Sequence, residues 1–122
     1  MTQQLIIFTG AVFGLLSVIF GAFGAHALKK TLSPKQLNSF EVGVKYQMYH
    51  AIVLLVLGFN SDMTTPATYW CFTLGIVLFS FSIYGLVLSD AKGTKLRFLG
   101  PITPIGGLFL VSGWFLLLLS VL

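Results

Sequence analysis

The sequence predicts an all-α membrane protein: a four-transmembrane-helix antiparallel up-and-down bundle with both termini outside. Three observations carry that expectation. Hydrophobic residues make up 57% of the chain and charged residues 8%, where a soluble domain carries about 25% charged. A soluble fold so short of charge would have no surface to show water. Apolar runs recur along the chain, close to the ~20 residues that cross the hydrocarbon core. The basic residues gather in alternate connections between those runs, which is a topology signal rather than a nucleic-acid face. At 122 residues the chain suits a single transmembrane domain, residues 1–122, with spans at about 5–28, 40–59, 67–88 and 99–122.

The first span, Leu5 to Leu28, is uncharged over 24 residues. Ala25-His26-Ala27 has the form of a signal-peptide cleavage site. Against that reading, the leader Met1-Thr2-Gln3-Gln4 has no Lys or Arg, and Lys29 and Lys30 follow the apolar run. That polarity fits a helix whose N-terminus lies outside. Gly10, Gly14, Ser17, Gly21 and Gly24 recur at spacings of 4, 3, 4 and 3, one narrow stripe on a helix. Small residues let backbones approach closely in lipid, where packing replaces the hydrophobic effect as the glue. Two uses compete for the stripe: packing within the chain, the more economical one, and dimerisation.

Ser33-Pro34-Lys35-Gln36 reads as a helix start: Ser33 caps, Pro34 takes the first helical position, and Gln36 closes a capping box. The purely apolar part of this second helix, Ala51 to Phe59, is too short to span. The span therefore extends back toward Phe40 and takes Glu41, Lys45, Gln47 and His50 with it. Glu41 and Lys45 stand at i,i+4 in the favourable order, and Lys45 can snorkel to the interface. Asn60 to Pro66 is a loop holding Asp62 and no basic residue. The third span, Ala67 to Leu88, has Tyr69 and Trp70 near its start as expected interfacial anchors. Gly75 and Ser82 give it a weaker small-residue face, and Cys71 reads as a small buried hydrophobe. Ser89 to Phe98 is a loop with Lys92, Lys95 and Arg97 beside Asp90, and Gly93 favours a turn.

The fourth span holds Pro101, Pro104, Gly106 and Gly107 near its start. Either Thr103 caps a helix opening at Pro104, or a helix from about Leu96 is kinked at both prolines. The kinked helix is favoured slightly, because a continuous helix hides more backbone from lipid. The positive-inside rule places loops 29–39 and 89–98 in the cytoplasm.

Three segments, GAFGAHAL (Gly21 to Leu28), YQMYH (Tyr46 to His50) and GPITPIGG (Gly100 to Gly107), together with four spans and this length, resemble a small bacterial membrane-protein family. It is filed as domain of unknown function 423 and has a small transmembrane protein as a eukaryotic relative. The resemblance implies a four-helix inner-membrane protein. It implies no established activity, substrate or cofactor.

His26 and His50 are the candidate chemical residues. By this topology both belong to the cytoplasmic half of the bilayer, together with Glu41, Gln47, Tyr46 and Tyr49. Ionisable groups within a membrane usually face a bundle interior or a cavity, so one polar layer between the first two helices is the expected site. On a helical wheel, however, His26 falls off the glycine stripe. No catalytic constellation is visible: neither histidine has an Asp adjacent in sequence, and Gly106-Gly107 are followed by Leu, not by the Lys of a phosphate-binding loop. A lone Cys71 excludes an intrachain disulfide. The expectation is a structural or accessory protein without enzymatic activity, cofactor or metal. Its partners would be the lipid bilayer and a second copy or another membrane protein, not nucleic acid. The alternatives are a small oligomeric transporter or channel lined by Glu41, Gln47 and His50, and a cofactor- or metal-binding subunit using His26 and His50.

Overall fold

The structure is a computed structural model describing residues 2–122; Met1, first residue of the uncharged leader, lies outside the described residues. Among the described residues there are four long helices: α1 (Gln3–Leu28), α2 (Pro34–Phe59), α3 (Pro66–Ala91) and α4 (Arg97–Ser120). No strand occurs among the described residues. Each helix is long and apolar enough to cross a membrane. At 1.5 Å per residue they measure about 36–39 Å, several ångströms more than the ~30 Å hydrocarbon core.

Local chemistry sets the helix starts. Leu5 N donates to the Thr2 hydroxyl at 3.1 Å. The capping box at Ser33 forms as the sequence predicts: Gln36 N donates to Ser33 Oγ at 3.1 Å, and Ser33 N to Gln36 Oε1 at 2.9 Å. Thr65 caps α3 by accepting from Thr68 N at 3.2 Å, with Pro66 next in the chain. Helix α4 opens with one tight turn, Arg97–Leu99, and its regular α-helical part runs Ile102–Ser120. Pro101 immediately precedes that part, and Pro104 is its third residue. The amides of a first turn have no intrahelical partner in any case, so neither proline demands a kink. Thr103 does not cap; its hydroxyl meets Ser82 Oγ at 2.5 Å.

The glycine stripe of α1 packs inside the chain. A Cβ on Gly10 would lie 3.0 Å from the Ala51 carbonyl oxygen, and Gly14 faces the Ala51 Cβ. Gly21 faces Val44, and Gly24 faces the Phe40 ring. The stripe therefore seats α1 on α2, and the alternative use of this face for dimerisation gives way. On the other side α3 seats on α4, with Gly75 against Leu110 and Gly113 against the Phe72 ring. The closest approach is at Gly106, where a Cβ would fall 2.3 Å from the Phe79 amide nitrogen.

Phe79 lies in one of two wide-turn π segments, Val77–Phe81 in α3 and Ile19–Gly24 in α1. The α3 segment gives α4 a backbone shelf to dock on. Side chains from α2 and α3 form the centre: Leu54, Phe72 and Ile76 have no exposed surface. Helices α1 and α4 lie outside them, with 22% and 17% of their spanning residues buried, against 39% and 44% for α2 and α3.

Tyr69 is not an interfacial anchor. It is 3% exposed and meets Thr9 Oγ1 across α1 and α3 at 2.7 Å. Trp70 is 51% exposed. Cys71 is half-buried. Gly93 turns the chain after α3 with φ +81°.

Candidate functional site

Several of the polar groups deep in the bundle are joined through α2. Gln47 has no exposed surface. Its Nε2 donates to the Phe13 carbonyl of α1 at 2.9 Å, and its Oε1 accepts from the Tyr84 hydroxyl of α3 at 2.7 Å. One amide thus ties three helices. Ser80, in the α3 wide turn, donates to the Gly43 carbonyl at 2.7 Å, and Ser17 donates to the Phe13 carbonyl at 2.8 Å.

His50 is buried one turn further along α2. Its Nδ1 lies 2.7 Å from the Tyr46 carbonyl. A carbonyl only accepts, so Nδ1 carries the hydrogen and Nε2 is the acceptor. Trp114 Nε1 donates to that Nε2 at 3.0 Å. The tautomer follows from this network, and both ring nitrogens are engaged. The ring also packs against Phe72 and Trp114, at centroid distances of 5.7 and 6.0 Å. Beside it a groove of about 350 Å³ runs between Tyr46, Phe79, Leu108 and Trp114. Thr73 Oγ1 is the one buried side-chain polar atom without a partner among the described residues.

The six residues expected to share one layer are divided by this structure. The α1–α2 register pairs Gly24 with Phe40 and Gly14 with Ala51. His50 therefore stands level with Gly14, twelve residues and roughly 18 Å along α1 from His26. His26 is exposed near the end of α1, where its own carbonyl accepts from Lys29 N. Glu41 is exposed at that same end of the bundle. Tyr46 and Tyr49 are 41% and 53% exposed; the Tyr46 ring packs on Phe79 at a centroid distance of 4.9 Å, at the edge of the groove beside His50. Only Gln47 and His50 enter the buried layer. The two histidines fail to meet because they stand at different levels of the bundle; the glycine stripe, by facing α2, also turns His26 away from it.

Two participants in the layer, Tyr84 and Trp114, escaped the sequence reading. Both carried a usable signal. Each lies inside an apolar span rather than in an interfacial belt, and the polar tip of a buried Tyr or Trp needs a partner.

A second feature lies at the end of the bundle that holds both basic connections. Here α2, α3 and α4 enclose an open cavity of about 810 Å³, lined in part by Lys35, Gln36, Ser39, Asp90, Lys95 and Arg97. Gln36 Nε2 donates to Asp90 Oδ2 at 2.9 Å and closes one side. The sequence reading used these basic residues only to orient the chain.

Four apolar helices joined by short loops, with polar side chains spent on one another, define a small multi-pass integral membrane protein. Residues 20–107 match the family described as "Protein of unknown function (DUF423)", and the chain belongs to that family. It is 43% identical over 121 residues to a UPF0382 membrane protein of Staphylococcus haemolyticus, covering 97% of this chain and 95% of the relative. It is 38% identical over 125 residues to the UPF0382 membrane protein YwdK of Bacillus subtilis, covering 97% and 96%. No solved structure matches the chain.

Proposed function

We propose that this protein is an accessory component of the bacterial inner membrane that works through helix packing and has no enzymatic activity of its own. Its partners are the bilayer and a second copy or another membrane protein. The loops at 29–39 and 89–98 face the cytoplasm. One observation carries the reading: Gln47 and His50, the deep polar residues best suited to chemistry, are bonded within the chain. The amide of Gln47 is divided between Phe13 and Tyr84, and both nitrogens of His50 are taken by Tyr46 and Trp114. A metal ligand or proton carrier needs a nitrogen free to change partner. Here that change would break a contact holding α2 to α4.

Any association with a partner uses faces other than the glycine stripe, such as the outward surface of α4 at Leu108, Val111, Phe115 and Leu118, all more than half exposed. The test is reconstitution into liposomes and measurement of proton, potassium and chloride flux. No flux beyond protein-free liposomes is expected. A flux abolished by His50→Phe overturns the accessory reading in favour of a transporter.

A further inference from the structure

The cavity at the basic end has two unlike halves. Lys35, Lys95 and Arg97 stand at its mouth against one carboxylate, Asp90. That carboxylate is already held by the Gln36 amide. The three cations are exposed, and among the described residues no side-chain hydrogen bond or ion pair engages them. The walls behind the mouth are Val42, Ile83, Leu86 and Val87. Val42 follows Lys35 by seven residues of helix, about 10 Å of depth, and Ile83 precedes Asp90 by the same interval. Along its axis the cavity thus passes from uncommitted positive charge to half-buried and buried apolar side chains, with Ser39 between and Thr103, its hydroxyl bonded to Ser82, at the apolar end. Its volume, about 810 Å³, is within the ~300–1,000 Å³ usual for small-molecule sites.

We propose that this cavity is a binding site for a phosphate-bearing anion, and specifically for the headgroup of an anionic phospholipid. Lys35, Lys95 and Arg97 pair with the phosphate oxygens. The glycerol and first acyl carbons lie along Val42, Ile83, Leu86 and Val87. Free phosphate offers the same oxygens but nothing for the apolar half, and on that ground the lipid is the assigned occupant. The inference stands apart from the accessory reading, since a transporter could hold the same lipid.

The test uses the full chain, reconstituted in an equal mixture of phosphatidylglycerol and phosphatidylcholine, extracted in mild detergent and examined by native mass spectrometry. Wild type should retain phosphatidylglycerol in preference to phosphatidylcholine. Each cation near an anionic lipid is worth roughly fivefold, so Lys95→Gln with Arg97→Gln should lower the retention ratio about 25-fold, while Asp90→Asn should raise it. Lys92→Gln removes a charge from the same loop outside the cavity and should lower the ratio by no more than about fivefold, far less than the double variant. Equal retention of the two lipids by wild type overturns the proposal. So does a Lys92→Gln effect as large as that of the double variant, which would mean diffuse attraction to the whole basic end. If the double variant does not fold, the opposite response of Asp90→Asn decides: a ratio that fails to rise overturns the proposal. Inorganic phosphate alone is the last arm. A Lys95- and Arg97-dependent thermal shift with phosphate, without lipid preference, overturns the lipid assignment in favour of the free ion.

Discussion

Two adjacent glycines in α4 should respond oppositely to the same substitution. A Cβ built on Gly106 falls 2.3 Å from Phe79 N, 2.6 Å from Leu78 C and 2.8 Å from Phe79 Cα. All three are backbone atoms of the α3 wide turn, and none can rotate aside. Ordinary carbon contacts begin near 3.5 Å, so Gly106→Ala requires α4 to retreat by about 1 Å. A gap of 0.5–1 Å forfeits roughly a quarter to a half of each pairwise dispersion well. The losses would spread along the α3–α4 seam, through Gly75 with Leu110 and Gly113 with Phe72. The expected cost is about 3 kcal/mol, the upper end of what overpacking usually costs.

At Gly107 the nearest atom to a new Cβ is Phe79 Cδ1 at 3.8 Å, an ordinary contact. Gly107→Ala removes a poor helix former and should gain a few tenths to ~1 kcal/mol. Reversible unfolding in mixed micelles of mild detergent and dodecyl sulfate, followed by the fluorescence of Trp70 and Trp114 together, measures both. Alanine at 106 and 107 giving equal stabilities would refute the seam geometry. A loss only at 107 would mean that the face of α4 is wrongly placed.

The polar layer and the helix caps give two further expectations. Tyr84→Phe and Gln47→Met, alone and combined, should show a coupling of about 0.6–1.7 kcal/mol in the same unfolding assay, the range found for hydrogen bonds between membrane helices; additive effects would deny the 2.7 Å contact. Ser33→Ala should cost about 1 kcal/mol by removing the N-cap of α2, with faster amide hydrogen exchange confined to the first turn of that helix; unchanged exchange there would deny the cap.

The architecture was legible because it rests on composition and short-range chemistry. Uncharged runs reveal spans whatever packs on them, and Ser33-Pro34-Lys35-Gln36 specifies a helix start within four residues. The small-residue stripe was legible as a contact face, but not its partner, because a glycine spacing says how close a neighbour comes and not which neighbour it is. The start of α4 was legible only in part, for a related reason. A helix from about Leu96 is close to the observed Arg97–Ser120, but nothing in the sequence marks that its first turn is tight and that its regular α-helical part begins at Ile102, between the two prolines.

The site was less legible, and the reason is geometric. Assigning residues to one layer by counting along each helix requires the register between helices. The wide turn at Ile19–Gly24 lies on α1 between Gly14 and His26, and a wide turn alters the phase of everything beyond it. It carries no proline or other strong marker, so nothing in the sequence announces it.

Helix α2 bears both polar systems of this molecule, and they point to different tasks. At its middle, Gln47 and His50 bond to α1, α3 and α4, so each polar atom there stabilises the arrangement that surrounds it. At its start, Lys35 and Gln36 meet Asp90, Lys95 and Arg97 around an open cavity, where the cationic groups have no side-chain partner among the described residues. Buried polar groups satisfied internally fix a structure; exposed charges left unsatisfied beside an apolar wall are free to recognise something else. The interior of this bundle is therefore where its shape is decided, and the basic end is where the proposed anionic lipid would be recognised.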